Sequence, residues 1–490
     1  MLWPCAGSLL KVCFAKPGFL LIILCGLLSV QGCSREQSAP KSSVRWTVPE
    51  AAVAIKTGQD VLIKHECRRC HVIDDMPPAS RPRDCVGCHN FIKRLSPEDD
   101  AYRQIAAKYG NEVIERYQSK ITHLRTVPDL TRIAARVRPD WLAAFLAEPF
   151  DVRPALSESM IRHRLSSDEQ RSIVRYFAAV ADAEDPYAPD WLPPAVAVIA
   201  PAQIDAGEKL FRERGCVACH TFGNRDTGST AETLATAGAA AALAPNLRFV
   251  KERTRRDVLV DWIMDPQRIS PHALMPSMGL DRTQATLIRD FLLGADPQLR
   301  PMPAAVLPAL PKLLTREVGY AEMKDKVLGK VCVHCHMNSY EKDPGPGNLG
   351  GLGYAGVGLM MRTYESLVAG AVGADGKRYS VLQPRPGEAT APILQAMLRR
   401  RIEEPRDHVE AFSDHVRPGY TVALPGMPLG LPSMNDGEIA LLATWIAQGC
   451  KGPKTVSGKS GIRDGYLVPD GPIAKNHGCQ LRGVAPPGAG

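Results

Sequence analysis

The sequence predicts an all-α protein, and three observations lead to this fold class. Three long segments each close on apolar residues at helical spacing, in "SSDEQRSIVRYFAAVAD", "DRTQATLIRDFLLGA" and "NDGEIALLATWIAQG". Each segment also begins with a helix-like stretch that leads directly into a cysteine motif. The alternation of apolar and polar residues that marks a half-buried strand is scarce along the chain.

The first 33 residues have the parts of an export signal. Lys11 and Lys16 precede the apolar run "GFLLIILCGLLSV", which is too short for a convincing membrane span. The run ends at "QGC" and resembles a bacterial lipoprotein signal, in which Cys33 becomes the lipid-modified first residue. Ordinary cleavage and an uncleaved anchor are the alternatives. The resemblance implies a periplasm-facing protein, anchored to the inner or outer membrane of a Gram-negative bacterium.

Proline-rich stretches at residues 183–203 and 296–312 divide the rest of the chain. Proline fixes φ and removes a backbone donor, so such stretches favour extended linkers. We therefore predict a signal, a polar tether, three domains and a Gly- and Pro-rich tail. Their bounds are residues 1–33, 34–48, 49–183, 203–297, 316–450 and 451–490.

The three domains are predicted to be repeats of one unit. Gly58 and Gly207 each stand nine residues before a cysteine motif, and an apolar residue stands five before it in every repeat. These apolar residues, which we expect to occupy one shared packing site, are Leu62, Phe211 and Val327. Residues 128–149 and 245–266 also align without gaps. A Gly-rich region replaces this stretch in the third repeat.

Four copies of Cys-x-x-Cys-His occur, at residues 67–71, 85–89, 216–220 and 332–336, here called the first to fourth motifs. Two thiols one helical turn apart can reach the two vinyl groups of a porphyrin, and the adjacent histidine then lies under the iron. A zinc site would need further Cys or His at regular spacing. The sequence predicts four covalently bound haem c groups. Their cysteines are Cys67, Cys70, Cys85, Cys88, Cys216, Cys219, Cys332 and Cys335, and their iron ligands His71, His89, His220 and His336.

The order of helix, Cys-x-x-Cys-His, loop, Met and closing helix resembles class I cytochrome c over most of residues 55–450. The resemblance implies three tandem class I cytochrome c-like domains joined by Pro-rich linkers. It also implies a methionine sulfur as the distal iron ligand in each domain. The methionines in the loop before each closing helix are Met160, Met275 and Met427, preferred over the nearby Met278 and Met434.

The second motif is the added one, because Gly58 and Leu62 place the first motif at the repeated offset. No repeat partner supplies its haem with a distal ligand. The candidates are His123, which we prefer, and also His65, Met76, His163 or an open position. Two tethered porphyrins so near in the chain must lie near in space, which favours fast electron exchange.

The formal charge of +8 is spread along the chain without a dense basic block, and no nucleic-acid-binding pattern is present. Nucleophile-elbow, phosphate-loop and nicotinamide fingerprints are absent from the sequence. We expect a tetrahaem electron carrier that uses redox protein partners and touches the lipid membrane through acylated Cys33. The alternatives are a haem enzyme with an open second haem, such as a peroxidase, and a subunit docked on a respiratory or photosynthetic complex. The leftover Cys450 and Cys479 are a disulfide candidate.

Overall fold

The computed structural model describes most of the chain from residue 46 onward. The described ranges are 46–80, 83–121, 127–149, 152–153, 160–192, 198–299, 306–337, 353, 358–372, 377–404, 426–453, 462–463 and 466–467. The predicted signal with Cys33, the candidate ligand His123, and Cys479 lie outside these residues. None of the helices in the described ranges combines the length and apolar character needed to cross a bilayer.

Helices dominate the described residues, so the all-α class is confirmed. The α-helices are α1 Val48–Lys64, α2 Cys85–Arg94, α3 Asp100–Tyr109, α4 Asn111–Lys120, α5 Pro139–Ala147, α6 Ser167–Val180, α7 Pro201–Glu213, α8 Ala231–Ala237, α9 Ala239–Leu243, α10 Val250–Arg253, α11 Arg256–Met264, α12 Pro266–Ile269, α13 Arg282–Gly294, α14 Tyr320–Met323, α15 Tyr364–Ala369, α16 Pro392–Glu403 and α17 Asp436–Ala447. Two antiparallel pairs of two-residue strands accompany them. These are β1 Ala371–Val372 with β2 Arg378–Tyr379, and β3 Ile462–Arg463 with β4 Tyr466–Leu467.

The three predicted closing helices are α6, α13 and α17, and a capping box starts each one. The cap side chain accepts a hydrogen bond from the third helical N–H, and the third side chain accepts one from the cap N–H. The pairs are Ser166 with Glu169, Asp281 with Gln284, and Asn435 with Glu438. A cap of this type stabilises a helix by about 1 kcal/mol.

An opening helix packs against the closing helix in the first two repeats, α1 on α6 and α7 on α13. The repeated glycines allow this close crossing. A Cβ built on Gly58 would lie 2.3 Å from Cβ of Tyr176, and one on Gly207 would lie 2.0 Å from the carbonyl oxygen of Leu287. In the third repeat, α14 and a π-helical stretch at Lys324–Leu328 pack on α17.

The described residues form three hydrophobic cores, and each core contains one of the apolar residues at the repeated position. Leu62 lies in the first core, Phe211 in the second core and Val327 in the third core, all buried. In each repeat, an aromatic residue late in the closing helix is buried in the same core as the apolar residue that precedes the motif. These aromatics are Phe177, Phe291 and Trp445. The expectation of one equivalent packing site per repeat is confirmed.

The third core also takes in helices α2 to α4, which follow the second motif. Ile92, Ile114 and Tyr117 are fully buried there, against side chains of the third repeat. Arg116 on α4 adds a two-pronged ion pair to Glu438 on α17, at 2.8 and 3.0 Å. Segment 49–183 therefore contributes to two cores. The described residues all belong to one compact unit, and the division into three domains stays a prediction.

The two ungapped repeat stretches contact each other through equivalent residues. The backbone N–H of Arg138 donates to the carbonyl of Arg253 at 2.8 Å, and that of Arg255 donates to the carbonyl of Arg136 at 3.0 Å. Arg138 and Arg255 are equivalent positions of the alignment, as are Arg136 and Arg253. The contact therefore has an approximate two-fold symmetry.

Candidate haem sites

Each motif carries its two cysteines on a single turn. In the first, third and fourth motifs this is a short 3-10 turn after the opening helix, at Cys67–Arg69, Cys216–Ala218 and Cys332–His334. In each, the N–H of the motif histidine donates to the carbonyl of the first cysteine at 3.0 Å. None of the eight motif cysteines forms a disulfide.

The second motif has a different local structure, because it forms the first turn of α2. The carboxylate of Asp84 caps this helix and accepts a hydrogen bond from the N–H of Gly87 at 2.8 Å. His89 therefore lies on a regular helix, where it is buried at 8% exposure.

Three motif histidines are held by the same type of hydrogen bond, from Nδ1–H to a backbone carbonyl. Nδ1 of His71 lies 2.9 Å from the carbonyl oxygen of Pro128, and Nδ1 of His220 lies 2.9 Å from that of Pro245. In the third repeat, Nδ1 of His336 lies 3.0 Å from a different carbonyl, that of Leu359. A carbonyl accepts only from N–H, so Nδ1 carries the proton and the lone pair of Nε2 is directed elsewhere.

The carbonyls that accept these hydrogen bonds explain part of the internal repeat. Pro128 and Pro245 are the first residues of the two ungapped stretches, so each stretch begins by orienting a motif histidine. Burial lowers the pKa of His71, His220 and His336, while the hydrogen bond to the carbonyl raises it in part. Their neutral form is the one that binds a metal.

His89 has an aromatic neighbour from another motif. Its ring centre lies 6.0 Å from that of His334, with 27° between the ring planes. His334 is the residue between the two cysteines of "CVHCH" in the fourth motif. The ring of His334 also contacts the fully buried Tyr117, and the centres of these two rings lie 5.1 Å apart.

The first, second and fourth motifs meet around the buried Arg69. Its guanidinium donates to the carbonyl of Arg83 at 3.0 Å and to that of Gly353 at 2.9 Å. The thiols of Cys70 and Cys85 share a hydrogen bond, which raises the pKa of Cys70 and lowers that of Cys85 to about 7. The fourth motif is close as well, because Cys335 interacts electrostatically with Cys85 and Arg69.

The predicted distal methionines all lie in the loop before a closing helix, with half-buried side chains. They are Met160, Met275 and Met427. The carbonyl of Met275 accepts a hydrogen bond from the Gln267 amide at 2.7 Å, which fixes the backbone there. Met434, the less favoured neighbour, is fully buried, and its sulfur contacts Arg116 at 3.9 Å.

Three candidates for the distal ligand of the second haem lie beside the first motif. The rings of His65 and His163 have centres 6.1 Å apart, and His163 is close enough to His71 for their charges to interact. Met76 packs against the first core. The preferred candidate, His123, lies outside the described residues.

Buried arginines provide a test of whether an anionic cofactor fits. Nε of Arg253 is buried and has no hydrogen-bond partner among the described residues, and the same is true of Nε of Arg162. Burial and the like charges of Arg136 and Arg153 lower the pKa of Arg253 to about 9. Arg153 also acts on His71, so this positive cluster borders the first motif. A buried cation needs an anionic partner, and the propionates of a haem would supply one.

No family model, curated protein or solved structure matches this chain. In the described ranges, no three His, Cys, Asp or Glu side chains converge as an all-protein metal site requires. A haem site differs, since the porphyrin supplies four ligands to the iron and the protein supplies the axial ones.

Sequence reasoning missed two residues that the structure brings to the motifs. Arg69 stands between the cysteines of the first motif, and His334 stands at the corresponding place in the fourth. His334 carried a signal, because the fourth motif alone has a histidine between its cysteines. Cys450 forms a disulfide bond, and Cys479, its predicted partner, lies outside the described residues.

Proposed function

We propose that this chain is a tetrahaem c-type cytochrome that carries electrons between redox protein partners outside the cytoplasm. The observation that carries the proposal is the shared geometry of His71, His220 and His336. Each fixes Nδ1 on a backbone carbonyl and adjoins a turn with two unpaired thiols. An axial histidine needs its other nitrogen held in this way, because that bond sets its tautomer and ring orientation.

The residues that would hold the four haems are those of the motifs and of the distal loops. The thioether positions are Cys67, Cys70, Cys85, Cys88, Cys216, Cys219, Cys332 and Cys335, the proximal ligands His71, His89, His220 and His336, and the distal methionines Met160, Met275 and Met427. Haem iron, when bound, supplies a one-electron Fe(III)/Fe(II) couple. Methionine ligation raises its potential relative to a second histidine.

The protein surroundings contribute the orientation and the electrostatics. Cations such as the buried Arg69 and the half-buried Arg253 favour the reduced, less positive state of a nearby iron and so raise its potential. The repeated opening and closing helices support three tandem class I cytochrome c-like domains joined by the Pro-rich linkers. The export signal supports a periplasmic location with a lipid anchor at Cys33.

Haem content tests the proposal directly. The full chain, expressed with its signal in a bacterium that attaches haem c, should retain haem stain after denaturing electrophoresis and weigh the polypeptide plus four haems. Cys216→Ser/Cys219→Ser removes only the third motif, so this variant should lose one haem and keep three. A wild-type mass equal to the bare polypeptide overturns the proposal.

Spin state separates the carrier from an enzyme. A peroxidase-like enzyme needs an iron with an open position, and such a haem is high-spin and binds carbon monoxide. We expect low-spin spectra from all four haems and no response to carbon monoxide. A high-spin ferric component in the wild-type protein would instead favour the enzyme.

A further inference from the structure

A histidine of the fourth motif lies beside the histidine of the second motif. His89, the predicted proximal ligand, lies beside His334 of the fourth motif. The two residues are far apart in sequence, and the contact exists because α2 packs into the third core with the chain of the fourth motif.

The spacing of the pair matches that of two imidazoles that bind one metal. An imidazole nitrogen binds a metal at about 2 Å, and the ring centre lies roughly 1 Å behind that nitrogen, so two axial rings have centres about 6 Å apart. The centres of His89 and His334 are 6.0 Å apart, and the ring planes differ by 27°.

The surroundings hold both histidines in place. Cys88, which precedes His89, and Cys332, two residues before His334, both pack against the third core. Tyr117 is fully buried in that core and contacts the His334 ring. A pair of side chains supported on both sides by one packed core is held in place by that packing.

We propose that His334 is the distal ligand of the second haem and completes a His89/His334 pair, an inference that rests on the proposed function. The second haem is then a His/His haem of lower potential than its His/Met neighbours. His334 and His336 stand two residues apart, so the irons of the second and fourth haems are joined by one turn of chain. The second haem also has no open position for a small molecule.

Ligand substitution in the holoprotein tests the proposal. His334→Ala should turn one of the four haems high-spin and make it bind carbon monoxide, while the pyridine haemochrome assay still counts four. His334→Met should keep all four low-spin, remove the His/His signal from the near-infrared magnetic circular dichroism spectrum and raise the lowest midpoint potential. Matched controls are His163→Ala and His272→Ala, the latter an exposed histidine outside the motifs.

The outcomes separate this proposal from the proposed function. Four haems that stay low-spin in His334→Ala overturn the ligand assignment and leave the tetrahaem cytochrome intact. The same assignment is overturned if His123→Ala or His163→Ala produces the high-spin haem instead. If His334→Ala does not fold, His334→Met and the wild-type spectrum decide, because a wild type without a His/His component contradicts the proposal. A wild type without haem defeats the proposed function itself.

Discussion

At the scale of the residue, the candidate haem sites depend on which ring nitrogen of the motif histidine is held by a hydrogen bond. The carbonyls of Pro128 and Pro245 accept hydrogen bonds from Nδ1–H of His71 and His220. Proline has no backbone N–H, so it serves here only as an acceptor. The remaining nitrogen, Nε2, is the one that would be available to the iron of a bound haem.

The choice between neighbouring methionines can be tested in the second repeat. Met275→Ala should leave one haem without a distal ligand, so about a quarter of the haem becomes high-spin and binds carbon monoxide. Met278→Ala is the matched control: this side chain packs against the second core, so its loss should lower stability and keep all haems low-spin. Absorption spectra with and without carbon monoxide measure both effects. A high-spin haem in Met278→Ala alone would reverse the assignment.

Arg69 should influence more than one haem. Replacing it by methionine removes a buried cation from the meeting point of three motifs, so we expect the midpoint potentials of at least two haems to fall. The carbonyls of Arg83 and Gly353 also lose a donor, at a cost of about 1–3 kcal/mol each. Arg69→Lys keeps the charge and should retain most of the potential. A redox titration with unchanged potentials in Arg69→Met contradicts this expectation.

At the scale of the element, two glycines and one glutamate determine how the opening helices pack against the closing helices. Gly58 and Gly207 allow backbones to approach at the crossings of α1 with α6 and α7 with α13. Glu169 on α6 accepts hydrogen bonds from Lys64 at 2.6 Å and from His65 at 3.1 Å, at the end of α1. The same carboxylate closes the capping box of α6.

Gly207→Ala should force α7 away from α13. The added methyl would lie 2.0 Å from the Leu287 carbonyl oxygen, a contact that requires the backbone to shift. Overpacking of this kind costs about 1–3 kcal/mol. Gly319→Ala is the control, since no atom lies within 4 Å of the added group there. Denaturant unfolding should show a lower midpoint for Gly207→Ala only; equal midpoints would mean that the crossing is not tight.

Glu169 makes this helix pair sensitive to acid. Burial raises the pKa of its carboxyl, but hydrogen bonds from Lys64, Ser166 and His65 outweigh burial and leave the pKa at about 2. The folded pKa is below the ordinary value of 4.5, so its stabilisation is present above pH 4.5 and is lost as the pH falls toward 2. Glu169→Gln should lower the free energy of unfolding at neutral pH and flatten its decline in acid. Glu213→Gln, an exposed glutamate on α7, should leave the curve unchanged.

Local patterns predicted the elements better than the contacts between them. The caps at Ser166, Asp281 and Asn435 are encoded within four residues, so the closing helices were predictable, as was the burial of Leu62 and Phe211. The docking of α2 to α4 into the third core was not. The apolar faces of these helices show that they will be buried, but they do not show against which part of the chain. The third repeat, on which they pack, lies more than two hundred residues away in sequence.

At the scale of the whole molecule, the shared third core links the start of the chain to its end. Cleavage at a protease site engineered between Pro189 and Asp190 would break the covalent link between the first repeat and the rest of the chain. We expect the cleaved halves to co-elute in size-exclusion chromatography under native conditions, because α2 to α4 remain packed with the third repeat. Tyr117→Ala in the cleaved protein removes a fully buried side chain and should weaken the association. Halves that separate without denaturant would contradict the shared core.

The two-fold contact between the ungapped stretches resembles an interface between identical subunits. Residue i meeting j while j meets i is the mark of a homodimer built from identical subunits. Here both copies reside in one polypeptide, with Arg138 and Arg255 making the reciprocal bonds. Because both stretches are parts of one chain, their pairing does not depend on protein concentration as the pairing of separate subunits does.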